Sequence, residues 1–392
     1  MRGPARVVIV GASAAGLTAA ETLRREGHRG RITMIGAESH LPYDRPPLSK
    51  QILAGDWEPE RLALRDESAY QQLDLDIRRG TAAAELDVRT KTVTLRGGEA
   101  LGYDGLIIAT GVRPRRPAPL ANAHVLHTLD DALALRSELK RAARIVIIGA
   151  GFVGTEAAAA ARKLGVEVTL VDPCPVPMAR QFGEQIGKLV AAWHRDHGVD
   201  LRMNAEVVGL LDGASESGVE LADGTVLEAD AVLAAVGATP ATDWLSGSGL
   251  TVDDGVVCDA TCQAAPDVYA AGDVAKWFNP RFRALMRVEH RMNATEQAMA
   301  AARNLLGAAR PFDPIPYFWT DQFDAKIQAH GHFPPGSDIT ITHGEASERK
   351  FIATCTQNGR TTGVLGWNMP RQLRQARALV EEATVHLGDH AR

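Results

Sequence analysis

Two glycine-rich segments are the parts of this chain best suited to chemistry: Val7-Val-Ile-Val-Gly11-Ala-Ser13-Ala14-Ala15-Gly16 and Arg144-Ile-Val-Ile-Ile-Gly149-Ala-Gly151-Phe152-Val153-Gly154-Thr-Glu156. Glycines at this spacing let the backbone turn tightly and approach a pyrophosphate, whose charge rests at the positive end of the helix that follows. Ser13 stands where the first copy would carry its middle glycine. Each copy is followed by a carboxylate placed for a ribose hydroxyl, Glu38 in one and Asp172 in the other. One such device suggests a dehydrogenase. A chain that builds it twice is expected to hold two dinucleotides side by side, as a flavoprotein supplied by a nicotinamide does.

The elements that must position these residues are legible around them. Val7 to Val10 and Ile145 to Ile148 are β-branched runs, each followed by an alanine-rich helix that stops at a glycine, Gly27 or Gly165. Second strands follow at Arg31 to Gly36 and Val166 to Val171. The pair Pro46-Pro47 excludes regular structure and predicts an extended loop from Leu41 to Lys50. Pro266 to Asp273 reads as a buried strand ending in Gly272-Asp273, and an Asp there faces the crevice where open α/β sheets bind ligands. A helix is predicted from about Asn293 to Leu306. Strands are predicted at Asp338 to Thr342, Lys350 to Thr356 and Thr361 to Trp367, and a last helix after Pro370. With 392 residues the chain should form two or three domains.

Composition removes several classes of function. A net charge of -5 and a pI near 6.2 argue against general nucleic-acid binding, although Arg281, Arg283, Arg287 and Arg291 form a local basic cluster. No apolar run reaches the roughly eighteen residues of a membrane span, so a cytoplasmic protein is expected. The four cysteines, Cys174, Cys258, Cys262 and Cys355, contain no C-x-x-C pair and read as reduced thiols with no metal role. A flavin here would therefore lack the cysteine pair through which disulfide reductases discharge their electrons.

The segments G-A-S-A-A-G-L, P-Y-D-R-P-P-L-S-K, L-I-I-A-T-G, G-A-G-F-V-G-T-E, V-Y-A-A-G-D-V, V-E-H, Y-F-W-T-D-Q and G-V-L-G-W-N-M-P occur in this order across nearly the whole chain. Together they resemble the FAD-dependent NAD(P)H:ferredoxin reductases of bacterial oxygenase systems, the group that includes putidaredoxin reductase and the biphenyl dioxygenase reductase component. The resemblance implies a glutathione-reductase-like α/β fold with two Rossmann-type domains and a smaller α+β carboxyl-terminal domain. The implied boundaries are 1–118 with 244–314 for FAD, 119–243 for NAD and 315–392 for the third domain.

Carried over residue by residue, the resemblance places the FAD pyrophosphate at Gly11, Ser13, Ala14, Ala15 and Gly16, its adenosine ribose at Glu38, and its ribityl chain at Gly272 and Asp273. Arg45 and Lys50 would lie along the flavin. Ala83, Ala109, Thr110, Gly111, Arg113, Glu289 and His290 would complete that site, with Trp319 covering part of the ring. For the nicotinamide it implies Gly149, Gly151, Phe152, Val153, Gly154, Asp172, Val236 and Gly237, with Glu156 near the amide. Lys50 and Glu156 would support hydride transfer, since a fixed ammonium stabilises charge arriving on the ring. Asp172 accepts bonds from a free 2'-hydroxyl and repels a 2'-phosphate, so NADH is the expected donor. The implied acceptor is a 2Fe-2S ferredoxin, steered by the four arginines. Arg291 departs from the aromatic residue the family often carries. Two alternatives stay open: an NADH oxidase of the same fold, and a nicotinamide-responsive redox sensor.

Overall fold

Val7, Val8, Ile9 and Val10 are all buried, and a strand apolar on both faces belongs in the middle of a parallel sheet. In the computed structural model, which describes residues 3–212 and 217–385, strand Arg6–Val10 lies between Gly105–Ile108 and Arg31–Ile35, parallel to both. Val268–Ala270 extends the sheet beyond Gly105–Ile108, and Leu75–Arg78 closes the other side. Helix Ala14–Arg25 follows the first strand and packs with helix Arg291–Leu305 through small residues, including Ala15, Ala19, Ala298 and Ala301. It ends where Gly27, at φ 89°, lets the His28 N–H reach back to the Leu23 carbonyl at 2.9 Å.

The chain divides into two compact units, and this sheet belongs to the first: Met1–Asp44, Leu62–Arg113 and Thr239–Pro316. The second comprises Arg45–Arg61, Pro114–Ala238 and Tyr317–Arg392. It repeats the same device. Strand Arg144–Ile148 is central, parallel to Glu167–Asp172 and to Ala231–Ala234, with Val199–Met203 at one edge. Helix Phe152–Lys163 ends at Gly165, where the Val166 N–H reaches the Ala161 carbonyl at 3.1 Å. The last part of this unit is a five-stranded antiparallel sheet in the order Tyr317–Gln322, Ala325–Gly331, Arg360–Trp367, Lys350–Gln357, Asp338–Glu345, followed by helix Pro370–Val385. Its apolar side joins Phe318, Ile327, Phe351 and Trp367 to Phe182 and Trp193 of helix Ala179–Asp196.

Two features differ from the sequence expectations. The hairpin Tyr317–Gly331 was not anticipated, and the loop from Leu41 to Lys50 is not extended throughout. Residues Leu48–Ile52 form a π-helical turn, closed by the Ile52 N–H on the Pro47 carbonyl at 3.0 Å. Pro47 sits at the start of that turn with φ -73°, where its missing N–H is not needed. Among the described residues, no helix is long and apolar enough to cross a membrane.

The last glycine of each fingerprint is a steric requirement. A Cβ on Gly16 would lie 1.8 Å from the Gly11 carbonyl oxygen, and one on Gly154 would lie 1.8 Å from that of Gly149. Gly16→Ala and Gly154→Ala are each expected to cost about 3 kcal/mol or more, since backbone must move to admit the methyl. Gly209→Ala, where the added Cβ meets nothing within 4 Å, should leave the urea midpoint almost unchanged.

Candidate functional site

The two glycine turns have nearly the same construction. Gly11, at φ 120°, passes so close to the chain leaving strand Gly105–Ile108 that a Cβ would lie 2.0 Å from the Ala109 oxygen. Gly149, at φ 103°, makes the equivalent approach to the Ala235 oxygen at 2.3 Å. The middle positions are different, because Ser13 and Gly151 are both extended, at φ -125° and -81°. A Cβ on Gly151 meets only the Gln181 Nε2, at 3.4 Å, so this position tolerates a side chain and Ser13 leaves the turn intact. Neither Ser13 nor Gly151 caps its helix with a side-chain hydrogen bond. Open first-turn amides beside a backbone that admits no Cβ fit the diphosphate of a dinucleotide in both units.

Other predicted residues of the first unit gather around its turn. Thr110 donates its hydroxyl to the Ala241 carbonyl at 2.9 Å, and the Gly111 carbonyl accepts from the Ala241 N–H at 3.0 Å. Gly272 lies between the two packed helices, where a Cβ would be 3.4 Å from Ala15 and 3.5 Å from Ala294. Its N–H donates to Gln297 Oε1 at 2.9 Å, which fixes the turn that carries Asp273. Gln297 and its neighbour Asn293 are buried and were not anticipated, although polar residues on the buried face of an alanine-rich helix mark them. Glu38 accepts the Tyr43 hydroxyl at 2.5 Å. Ala83 opens strand Ala83–Asp87 and packs against the first unit's core. His290 precedes helix Arg291–Leu305, and burial pushes its imidazole down to about 3. Arg113 forms an exposed ion pair with Asp243.

The arginine cluster requires a correction. Arg281 pairs with Asp313 at 3.2 Å, Arg287 with Asp254 at 3.2 Å and Glu289 at 2.6 Å, and Arg291 with Asp44 at 2.5 Å. Three of the four charges are thus answered within the fold, by acids distant in sequence or, for Glu289, two residues along. Arg283 is exposed and has no ion pair among the described residues.

In the second unit the structure brings Lys50 and Glu156 together. Their Nζ to Oε2 distance is 2.7 Å, with side chains 11% and 6% exposed. The same Oε2 accepts the Ser49 hydroxyl at 2.5 Å, and Oε1 accepts the Thr320 hydroxyl at 2.7 Å. The π-helical turn places Ser49 and Lys50 on one side of the carboxylate, and strand Tyr317–Gln322 places Thr320 on the other. Ser49 and Thr320 were not predicted as site residues. Trp319 lies on the half-exposed face of that strand, stacked on Tyr317 with ring centroids 5.9 Å apart. Phe152 packs edge-on to Phe182 and Phe318, whereas Val153 is exposed. Arg45 donates to the His127 carbonyl at 2.5 Å. Val236 and Gly237 come just after strand Ala231–Ala234, with the Val236 nitrogen 3.3 Å from where a Cβ on Gly149 would lie.

Asp172 ends strand Glu167–Asp172 and accepts the Ala150 N–H at 2.7 Å and the Cys174 N–H at 2.8 Å. Its carboxylate is therefore fixed against the second glycine turn. All four cysteines are free. Burial pushes the Cys258 thiol up to about 12 and raises that of Cys262 as well, so neither is a thiolate at neutral pH. Among the described residues, no group of three His, Cys, Asp or Glu side chains could hold a metal ion.

Removing one member of the buried pair leaves the other charge uncompensated. Lys50→Met should therefore cost about 3–5 kcal/mol, read as a lower urea midpoint. Adding Glu156→Gln should recover about half of that loss by removing the stranded charge.

Comparisons with known proteins agree with this construction. The pyridine nucleotide-disulphide oxidoreductase family matches residues 5–302, and a reductase C-terminal domain matches residues 317–390. Rhodocoxin reductase of Rhodococcus erythropolis is 36% identical, covering 95% of this chain and 89% of its own length. The ferredoxin--NAD(+) reductase component of the anthranilate 1,2-dioxygenase system of Burkholderia cepacia is 35% identical, covering 95% of this chain and 93% of its own. The reductase in a covalent putidaredoxin reductase–putidaredoxin complex aligns with a TM-score of 0.91 at 33% identity, over 96% of this chain and 93% of that one. The chain belongs to the pyridine nucleotide-disulphide oxidoreductase family, in the group of ferredoxin reductases that carry the reductase carboxyl-terminal domain.

Proposed function

We propose that this chain is an FAD-dependent oxidoreductase that passes electrons from NADH to a 2Fe-2S ferredoxin serving an oxygenase, either a haem monooxygenase or a Rieske dioxygenase. The observation that carries this reading is the repeated cradle, two glycine turns of matching geometry in one chain whose relatives, a rhodocoxin reductase and a ferredoxin--NAD(+) reductase component, are matched over 89% and 93% of their length. FAD is assigned to the turn at Gly11 to Gly16 with Glu38 and Asp273, and NADH to the turn at Gly149 to Gly154 with Asp172. The domains follow as 1–118 with 244–314 for FAD, 119–243 for NAD and 315–392 as the third domain.

When bound, FAD supplies the conversion of a two-electron donor into single electrons. The protein contributes position and charge. Lys50, held by Glu156, is the fixed cation of the site; Ser49 and Thr320 keep the carboxylate from turning away. Asp172, anchored on the Ala150 N–H, can accept from a ribose 2'-hydroxyl and opposes a phosphate there.

The ferredoxin contact is assigned to the hairpin of strands Ala275–Asn279 and Ala284–Arg287, and not to a cluster of four free arginines. Phe278 and Leu285 are directly opposite one another on it and are 41% and 51% exposed. Arg283, the unpaired cation of the set, lies in the turn between the strands. An apolar pair beside one free cation suits an acidic partner.

Two measurements test this assignment. Cytochrome c reduction by the FAD-loaded protein should depend on added ferredoxin, and kcat/KM should favour NADH over NADPH. Asp172→Asn, which keeps an acceptor for Ala150 and loses the charge, should narrow that preference about tenfold. Rapid oxygen consumption that ignores ferredoxin would instead indicate an oxidase. At the hairpin, Arg283→Glu and Phe278→Ser should raise the KM for ferredoxin about tenfold at low salt and leave ferricyanide reduction unchanged. Equal ferredoxin kinetics in all three proteins would remove the hairpin from the interface.

A further inference from the structure

Strand Tyr317–Gln322 alternates as strands do, with Phe318, Thr320 and Gln322 buried and Tyr317, Trp319 and Asp321 half-exposed. Two of its three inward residues are thus polar, against a cluster built from Phe182, Trp193, Ile327 and Trp367. A polar side chain in such a place is tolerated only when its hydrogen bonds are made. Each of these is made, and the bonds join into one chain.

The direction of that chain follows from what each group can do. The Thr155 hydroxyl lies 2.8 Å from the Gly151 carbonyl, which can only accept, so the hydroxyl donates there. Thr155 Oγ1 must then accept at its other short contact, from Gln322 Nε2 at 2.9 Å. This orients the Gln322 amide: Nε2 also donates to Thr320 Oγ1 at 3.1 Å, and Oε1 faces His194 Nε2 at 2.9 Å. His194 therefore carries its proton on Nε2. Its Nδ1 has no partner among the described residues, and burial pushes the ring down to about 4, so it is neutral at physiological pH. Thr320 accepts from Gln322 and donates to Glu156 Oε1 at 2.7 Å. One branch of donors, from His194 through Gln322 and Thr320, thus ends on the Glu156 carboxylate, while the other N–H of Gln322 is committed to Thr155.

We propose that Thr320 and Gln322 are positioning residues for hydride transfer, holding one oxygen of Glu156 so that the other is aimed at Lys50. This rests on the assignment of Lys50 and Glu156 to the support of hydride transfer. Free rotation of the carboxylate would let Lys50 change its place. A donor chain that ends on Oε1 prevents that rotation and costs no reorganisation when charge moves.

The inference is tested with FAD-loaded protein by anaerobic stopped-flow reduction with NADH. Thr320→Val, which keeps the shape of the side chain and removes both the donor to Glu156 and the acceptor for Gln322, should slow flavin reduction about tenfold, the effect of about 1.4 kcal/mol on the barrier. Thr320→Ser should stay within about twofold of the wild type, and the NAD+ dissociation constant should move less than about twofold in both. In a Glu156→Gln background the valine substitution should add no further loss. Thermal unfolding provides a readout apart from turnover: Thr320→Val should lower the midpoint by about 3 °C in the wild type and by clearly less beside Glu156→Gln, where only the bond from Gln322 is lost. If the valine protein does not accumulate with FAD bound, Gln322→Leu is measured against the same criteria.

Slowed reduction in Glu156→Gln beside a wild-type rate in Thr320→Val overturns the inference alone, as does an additive loss in the double variant. Wild-type rates in both Glu156→Gln and Lys50→Met overturn the assignment of the ion pair, and the inference with it.

Discussion

The architecture of both units depends on a backbone crossing that leaves no room for a Cβ. At each fingerprint the last glycine lies against the carbonyl of the first, and the first lies against the chain leaving the next parallel strand. The helix must therefore begin within a few residues of the strand, with its amides open and its axis held close to the sheet. Other placements follow. Ala109 to Gly111 in one unit and Ala235 to Gly237 in the other arrive at the carboxyl ends of the strands because the crossing draws them there. Asp172 can reach the Ala150 N–H because the turn presents it, and Gly272 can sit against Ala15 because the helix starts there. The same constraint explains why Ser13 is harmless: the middle position is extended and uncrowded, so that glycine alone can be replaced.

What was legible in the sequence had local causes. Gly27 and Gly165 ended helices because a left-handed residue satisfies the last carbonyls, and the valine and isoleucine runs formed strands because both faces are buried. The fold class, the family and the two cradles could be read from such signals. What was missed depended on partners far along the chain. The four arginines were visible as charges, but Asp44, Asp254 and Asp313 were not visible as their counterparts, and the ion pairs reduce an expected patch to Arg283. The two prolines excluded regular α-helix and strand, yet Pro47 has the φ a helical turn needs, and the chain after it closes as a π turn. Thr320 and Gln322 had a weak signal of their own, polar residues at inward positions of an alternating strand, which becomes readable only once the facing Glu156 is known.

The chain uses charge in two physically distinct ways. Pairs such as Arg144 with Glu228 or Lys163 with Asp56 are exposed and contribute little, because water screens them and long side chains lose freedom. Lys50 and Glu156 are nearly excluded from water, where desolvation consumes most of the attraction and a pair of apolar residues would stabilise the fold as well or better. Stability is therefore a poor explanation for this pair. Preorganisation explains it better. A carboxylate that accepts from Ser49, Lys50 and Thr320 has both of its oxygens engaged, so it holds the ammonium in one position through a change of charge nearby.

The arrangement also accounts for why the three supports come from separate parts of the sequence. The π turn brings Ser49 and Lys50 as neighbours, the fingerprint helix brings Glu156 seven residues after Gly149, the glycine that starts the second cradle, and the first strand of the carboxyl-terminal sheet brings Thr320. Each element alone would leave a buried polar group unsatisfied. Burial of that group is then favourable only when all three are in place, so the charge that could serve hydride transfer is assembled by the same hydrogen bonds that join the carboxyl-terminal sheet to its unit. A substitution that relaxes the sheet at Thr320 must therefore disturb the carboxylate before it disturbs the nucleotide cradle, whose geometry rests on glycine backbone and not on side chains.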